Sequence, residues 1–176
     1  MRGISGSGKS SEARKIFIHE SKKFNVKDPV PLEELDSDAV ISYCSADEYF
    51  MKDGVYKYDF SRIGDAHDFC LRKYLKSLSS STNRVIIVDN TNTETWEYTP
   101  YTALARVYGF EICIIEVYRD ILACIRDNNH RVPSKAIKVQ FKRFQPTPKG
   151  LRKKVVIIGE LPNRLTRLYR WLFRIV

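Results

Sequence analysis

The chain alternates between short, nearly unbroken apolar runs and longer stretches in which apolar positions recur every three or four residues. Ala39-Val40-Ile41-Ser42-Tyr43-Cys44, Arg84-Val85-Ile86-Ile87-Val88-Asp89 and Glu111-Ile112-Cys113-Ile114-Ile115-Glu116-Val117 are of the first kind. They are short and rich in β-forming residues, so they read as buried parallel strands. The second kind includes residues 9–23, with Ala13, Ile16 and Phe17 on one side, and the segment after Ser61, with Ile63, Ala66, Cys70, Leu71, Tyr74 and Leu78. That spacing predicts amphipathic helices. A further helix is expected from about Thr93 to Tyr108, with Pro100 as a kink or early boundary and Gly109 as its stop. Two short helices follow, Asp120 to about Asn129 and Pro133 to about Phe144, with Pro133 suited to a first helical position. The break His130-Arg131-Val132-Pro133 between them makes the pair a candidate lid. Residues 24–37, with Pro29 and Pro31, read as a loop, and Asp53-Gly54 marks a turn within Lys52 to Phe60.

Strands that alternate with helices predict an α/β fold: a parallel sheet with flanking helices, a helical lid and a C-terminal appendage. Residues 1–146 form the expected main domain and residues 147–176 the extension. Gln145 to Gly150 reads as a linker across that boundary, and within the extension Val155-Val156-Ile157-Ile158 has strand composition. Residues 161–176 are amphipathic at helical spacing, with Leu165, Leu168, Leu172 and Ile175 on one face and Arg164, Arg167, Arg170 and Arg174 on another.

Charge sharpens this division. The net charge of the 176 residues is +9. Residues 1–134 carry 18 Lys/Arg against 20 Asp/Glu, whereas residues 135–176 carry 12 Lys/Arg against Glu160 alone. The basicity therefore belongs to the last quarter of the chain and suits an anionic partner, either nucleic acid or a membrane surface. No 18-residue apolar run is present, so no transmembrane helix is expected. The start lacks the apolar core of a signal peptide, and an intracellular protein, cytoplasmic or nuclear, is expected. Cys44, Cys70, Cys113 and Cys124 show no C-x-x-C spacing and fall in apolar or amphipathic runs. They are expected to be reduced, mostly buried thiols with no disulfide partner.

Candidate chemistry is concentrated at the start. Gly3-Ile4-Ser5-Gly6-Ser7-Gly8-Lys9-Ser10 satisfies G-x-x-x-x-G-K-[ST], and an amphipathic helix follows it. Glycines let backbone N–H groups turn toward phosphate oxygens. Lys9 would place its ammonium on the β- and γ-phosphates of ATP, and the Ser10 hydroxyl would hold Mg²⁺. Asp89 follows four apolar residues at a strand end, the Walker B position, where it would hold Mg²⁺ directly or through water. Asp47, just after another strand, is the candidate general base, with its neighbour Glu48 as the alternative. Arg126 and Arg131 are candidate lid arginines, able to stabilise the charge that builds on a transferring phosphoryl group. His130 reads as a structural junction residue.

A phosphate loop ordinarily joins a buried strand to a helix, yet only Met1 and Arg2 precede Gly3. The expectation is that the natural chain starts further upstream. A second reading places Val155–Ile158 in the vacant slot.

Taken together, Arg2 to Ser10, Ser45-Ala46-Asp47-Glu48-Tyr49-Phe50, Val85 to Asn92 and Asn128-Asn129-His130-Arg131-Val132-Pro133 resemble the polynucleotide-kinase-like P-loop kinases. The resemblance is closest to the NEDD-four-binding protein two-like proteins, whose intervening pattern is matched by Gly54 to Phe60, Ala66-His67 and Trp96-Glu97. It covers about residues 2–145. It implies a P-loop NTPase fold of the nucleoside and polynucleotide kinase type, Lys9 and Ser10 at ATP·Mg²⁺, and Asp47 as base toward the acceptor hydroxyl. It also implies Asp89 near the metal and acceptor, and a lid arginine at Arg126 or Arg131. Two positions depart from the pattern. Phage kinases carry an arginine that grips the acceptor phosphate where Phe50 stands, and relatives carry the lid arginine where Asp127 stands.

The expected function is transfer of the γ-phosphate of ATP to a hydroxyl, the 5′-hydroxyl of RNA or DNA. The alternatives are an ATP-binding adaptor whose tail, residues 161–176, docks a protein or membrane, and a small-metabolite kinase.

Overall fold

Val85–Val88 (β4) pairs in parallel with Ile41–Cys44 (β1), in the register Ile41 to Val85 through Cys44 to Val88. All four β1 residues are buried, as expected of a strand covered on both faces. The computed structural model describes residues 1–26, 35, 37 and 39–159. The amphipathic segment 161–176 and most of the expected loop at 24–37 lie outside the described residues.

The chain divides into two compact units. One comprises Ser10–Asn90 and Tyr101–Glu111; the other comprises Met1–Lys9, Thr91–Pro100 and the described part of Ile112–Val176.

In the first of these, the helix Lys9–Lys23 (α1) runs on from the phosphate loop and buries Ala13 and Phe17. The helix Ile63–Ser79 (α2) packs on β1, on β4 and on a short 3₁₀ turn at Ala46–Phe50. Its buried residues, Ala66, Cys70, Tyr74 and Leu78, keep the three-to-four spacing read from the sequence. The helix starts one residue later than a Ser61 cap would give. Asp59, not Ser61, accepts the capping bond, from the Ser61 N–H, and a 3₁₀ turn at Phe60–Arg62 leads into α2. Met51–Lys52 (β2) and Val55–Tyr56 (β3) form an antiparallel hairpin. Asp53 and Gly54 both take positive φ, 51° and 73°, the two-residue turn that matches strand twist.

The other unit is built on Ile114–Val117 (β5). The helix Thr95–Val107 (α3) begins within it and continues through Pro100 into the neighbouring unit. The proline is therefore not a boundary; having no N–H, it cannot donate to the Trp96 carbonyl one turn earlier. Ile121–Arg126 (α4) is capped by Asp120, which accepts from the Leu122 and Ala123 N–H groups. Ser134–Arg143 (α5) starts one residue after Pro133, which is its cap and not its first helical residue. Ile4, Tyr118, Cys124, Ile137 and Phe144 form this unit's apolar cluster, flanked by Ile121, Ile125, Val132 and Phe141.

Among the described residues, what precedes Gly3 is held to β5 by a bridge and not by a strand. Arg2 forms a single parallel bridge with Glu116, its N–H donating to the Ile115 carbonyl at 2.7 Å and its carbonyl accepting from Val117 at 2.8 Å. Val155–Ile158 (β6) pairs in parallel with β5, Ile114 opposite Val155. The Tyr118 N–H donates to the Ile158 carbonyl at 2.8 Å. Backbone groups of alternate residues point to opposite sides of a strand, so β6 lies on the side of β5 away from Arg2. The reading that places Val155–Ile158 in the vacant slot is thereby overturned. Val156 and Ile157 remain 48 % and 40 % exposed, as suits a sheet edge.

All four cysteines are free thiols. Cys44, Cys70 and Cys124 are buried, and Cys113 is exposed, contrary to its place in an apolar run. The run fails as a strand there because β5 begins only at Ile114. Burial pushes the thiols of Cys44, Cys70 and Cys124 above the ordinary range. Dithiobis(nitrobenzoate) should therefore modify Cys113 rapidly in the native chain and the other three only after denaturation. Fast modification of more than one thiol would contradict this burial.

Candidate functional site

Arg2 has its guanidinium buried. Its Nε donates to the Asn92 carbonyl at 2.8 Å. Nη1 donates to Glu116 Oε1 at 2.5 Å and to Thr147 Oγ1 at 2.6 Å. Nη2 donates to the carbonyls of Thr93 and Gln145 at 3.3 and 2.7 Å. All five guanidinium N–H groups are thus used. The rings of Tyr98 and Phe144 cover the cation at 4.5 and 4.7 Å. Thr147 also donates to Glu116 Oε1, and Tyr118 donates to Oε2 at 2.6 Å. The residue just before Gly3 is therefore anchored from four separate stretches of chain. An acid inside the apolar run Ile114-Ile115-Glu116-Val117 was the one sign of this in the sequence.

From that anchor the loop turns tightly. The Gly3 N–H donates to the Thr91 carbonyl at 3.0 Å, and Ser7 N–H returns to the Ile4 carbonyl at 3.1 Å. Gly6 has φ of +77°, and a Cβ there would collide with the Cys124 carbonyl, so only glycine fits. The Ser5 N–H donates to Gln140 Oε1 on α5 at 2.8 Å. Lys9 Nζ lies 3.1 Å from the Ile4 carbonyl, folded over its own loop. Ser7 Oγ is buried and has no hydrogen-bond partner.

Arg126 on α4 donates to Asp127 Oδ1 at 2.7 Å, and Arg119 donates to Asp127 Oδ2 at 2.5 Å. Arg126 first, and then Arg119, holds the Asp127 carboxyl below its usual range. Arg119, which the sequence did not single out, also reaches the Gly6 carbonyl at 3.5 Å. Arg131 is exposed, in the turn before α5, with φ of +53°.

The unit of β1 and β4 carries the carboxylates. Ser10 Oγ donates to Asp89 Oδ2 at 2.7 Å. Tyr43 OH, from the middle of β1, donates to the same oxygen at 2.9 Å. Burial, and then the Asp89 charge, pushes the Tyr43 hydroxyl far above the ordinary tyrosine range, so it stays a donor. Asp89 is 3 % exposed, and its Oδ1 is buried without a partner. A buried carboxylate oxygen left over beside a serine hydroxyl is the donor set a hard divalent cation takes. The residues present therefore fit Mg²⁺.

Asp47 and Glu48 stand beside each other in the turn Ala46–Phe50, and the structure separates them. Ser45 Oγ accepts from the Asp47 N–H at 3.2 Å, and Glu48 Oε2 accepts from the Ser45 N–H at 2.8 Å, a reciprocal cap. Glu48 Oε1 pairs with Lys73 at 2.5 Å, with both side chains largely buried. The Ala46 N–H donates to Asn90 Oδ1 at 2.9 Å, so the end of β4 holds the turn at the end of β1. Glu48 is thus occupied in structure. Asp47 is exposed and accepts from Tyr56 OH at 2.8 Å. Tyr43 and Tyr56 were not distinguishable in the sequence from ordinary β-forming residues.

Tyr43→Phe keeps the buried ring and removes one donor from Asp89. Partners of metal ligands typically carry a factor of 10–100 in metal affinity. Titration calorimetry with Mg²⁺ and a non-hydrolysable ATP analogue should show a loss of about tenfold or more by that measure. Unchanged affinity would mean that Ser10 alone orients the carboxylate.

A family model described as AAA domain matches residues 1–147. Human NEDD4-binding protein 2 is 31% identical over 116 residues, 66% of this chain. The chain spans 6% of the length of that relative.

Proposed function

The chain belongs to the AAA domain family, as a P-loop kinase-like member, and on that premise we propose that it transfers the γ-phosphate of ATP to the 5′-hydroxyl of RNA or DNA. The phosphate loop and the Lys9 ammonium at the start of α1 receive the phosphates. Ser10 and Asp89 hold Mg²⁺, which when bound neutralises charge on the phosphate oxygens. The acceptor hydroxyl oxygen forms a bond to the γ-phosphorus, and the bond from that phosphorus to the β,γ-bridging oxygen breaks, releasing ADP. The hydroxyl proton passes to Asp47 Oδ2 or Oδ1. Arg119 and Arg126 are the guanidinium groups assigned to the charge on the transferring group.

The observation that carries this reading is the separation of Asp47 from Glu48. A carboxylate left exposed at a strand end, next to one wholly engaged in structure, is what a general base requires. The concentration of basic residues after position 134 supports a polyanionic acceptor.

The test is transfer of labelled γ-phosphate from ATP·Mg²⁺ to 5′-hydroxyl RNA and DNA oligonucleotides, with Lys9→Ala as control. Label that appears on the oligonucleotide and is lost by at least about a hundredfold in Lys9→Ala supports the reading. ATP bound without transfer would favour the adaptor role.

A further inference from the structure

The surface next to Asp47 is aromatic, and its rings are held in place. Phe50 is 2 % exposed; Tyr49 and Tyr56 meet it edge-on at 5.4 and 6.1 Å, and Tyr58 lies tilted against it at 5.0 Å. Tyr56 and Tyr58 stack on each other at 6.4 Å with their planes 17° apart. Tyr56 is the ring whose hydroxyl holds Asp47. Tyr58 is 51 % exposed, and Phe60, two residues on, is 78 % exposed. Two of the nearby basic groups are engaged: Arg62 lies over Tyr49 at 5.4 Å and pairs with Asp65, and Lys73 pairs with Glu48.

We propose that Tyr58, backed by Phe50 and Tyr56, is the stacking platform for the terminal nucleobase of the acceptor, with Phe60 extending it to the next base. This deepens the reading given above and rests on it. A 5′-nucleoside carries its base one sugar away from its 5′-hydroxyl. Tyr58 stands one phenol ring away from the Asp47 carboxylate, and that ring is Tyr56. Every base has a π-face, so recognition by stacking selects single-stranded nucleic acid with little preference for sequence. Lys52 and Lys57 are exposed on the same hairpin segment, where they can meet the phosphates that follow. The acceptor's end is thereby recognised through its base, not through a phosphate clamp.

The experiment measures binding and transfer separately, on the full chain. Binding of a fluorescent 5′-hydroxyl oligonucleotide is followed by anisotropy for the unmodified chain, Tyr58→Ala and Tyr58→Trp. Each is repeated with an oligonucleotide whose 5′-terminal residue is abasic. Tyr58→Ala should weaken binding by about tenfold, Tyr58→Trp should restore it, and the abasic end should cost the unmodified chain the same factor. Tyr58→Ala should no longer distinguish the abasic end. Equal binding by Tyr58→Ala, or no loss with the abasic end, overturns the platform, as does a chain that binds no oligonucleotide. Transfer of label is read on the same samples. Binding through Tyr58 without transfer preserves the platform and sinks the kinase reading; transfer with an unaltered KM in Tyr58→Ala does the reverse.

Discussion

Arg2→Ala is expected to lower folding stability by about 3–5 kcal/mol, read as a fall in the urea midpoint at unchanged slope. The size follows from what is left behind. Glu116 is 0 % exposed, and Arg2→Ala takes away the buried guanidinium that pairs with it, while the hydroxyls of Thr147 and Tyr118 stay. Three backbone carbonyls, of Asn92, Thr93 and Gln145, lose the donors that Arg2 supplies. Arg2→Lys keeps the charge but not the planar five-donor fork, and should recover less than half of the loss. Arg2→Met with Glu116→Leu should recover more than Arg2→Lys, because replacing both members of a buried pair with apolar groups removes the stranded charge. A loss below about 1 kcal/mol in Arg2→Ala would show that the network contributes no more than an exposed pair.

The second large effect is on turnover. If Asp47 takes the acceptor proton, Asp47→Asn should reduce kcat by about 10²–10⁴ and leave ATP affinity unchanged. The substitution is close to isosteric. The new amide oxygen still accepts from Tyr56, and the backbone N–H groups of the turn keep donating to the side chains of Ser45, Glu48 and Asn90. Glu48→Gln is the contrasting variant. It weakens a largely buried bond to Lys73 and should lower stability while leaving turnover within a few-fold. The reverse pattern, with Glu48→Gln inactive and Asp47→Asn active, would move the base to Glu48. The measurements are single-turnover transfer rates and thermal unfolding of both variants.

How much of this was legible beforehand depends on the reach of each interaction. The phosphate loop, β1, β4 and α2 follow from local spacing, and the order of strands and helices follows from alternation. The place of Asp89 at the end of β4 is legible because it is the first polar residue after Val88. What composition could not decide is partnership. Val155–Ile158 reads as a strand from its residues alone, but its place beside Ile114–Val117 is set by register across about forty positions. Tyr43 and Asp89 are brought together by the pairing of β1 with β4. Tyr56 and Asp47 meet because of the two-residue turn at Asp53-Gly54, whose type is legible while its consequence for Asp47 is not. Gln140, which supports the Ser5 amide, carries no signal in sequence at all. Cys113 misled for the opposite reason: its neighbours are apolar, but strand pairing begins one residue later.

The anchoring of Arg2 also bears on the order in which the protein is made. Arg2 is synthesised well before its acceptors, which lie at 92, 93, 116, 145 and 147. A charged residue has no apolar resting place until those partners arrive, and closing such long loops is entropically unfavourable before the contacts form. The phosphate loop, hung directly on Arg2, is consequently a late product of synthesis. A nascent chain arrested before Thr147 carries the complete nucleotide-binding motif without the structure that shapes it.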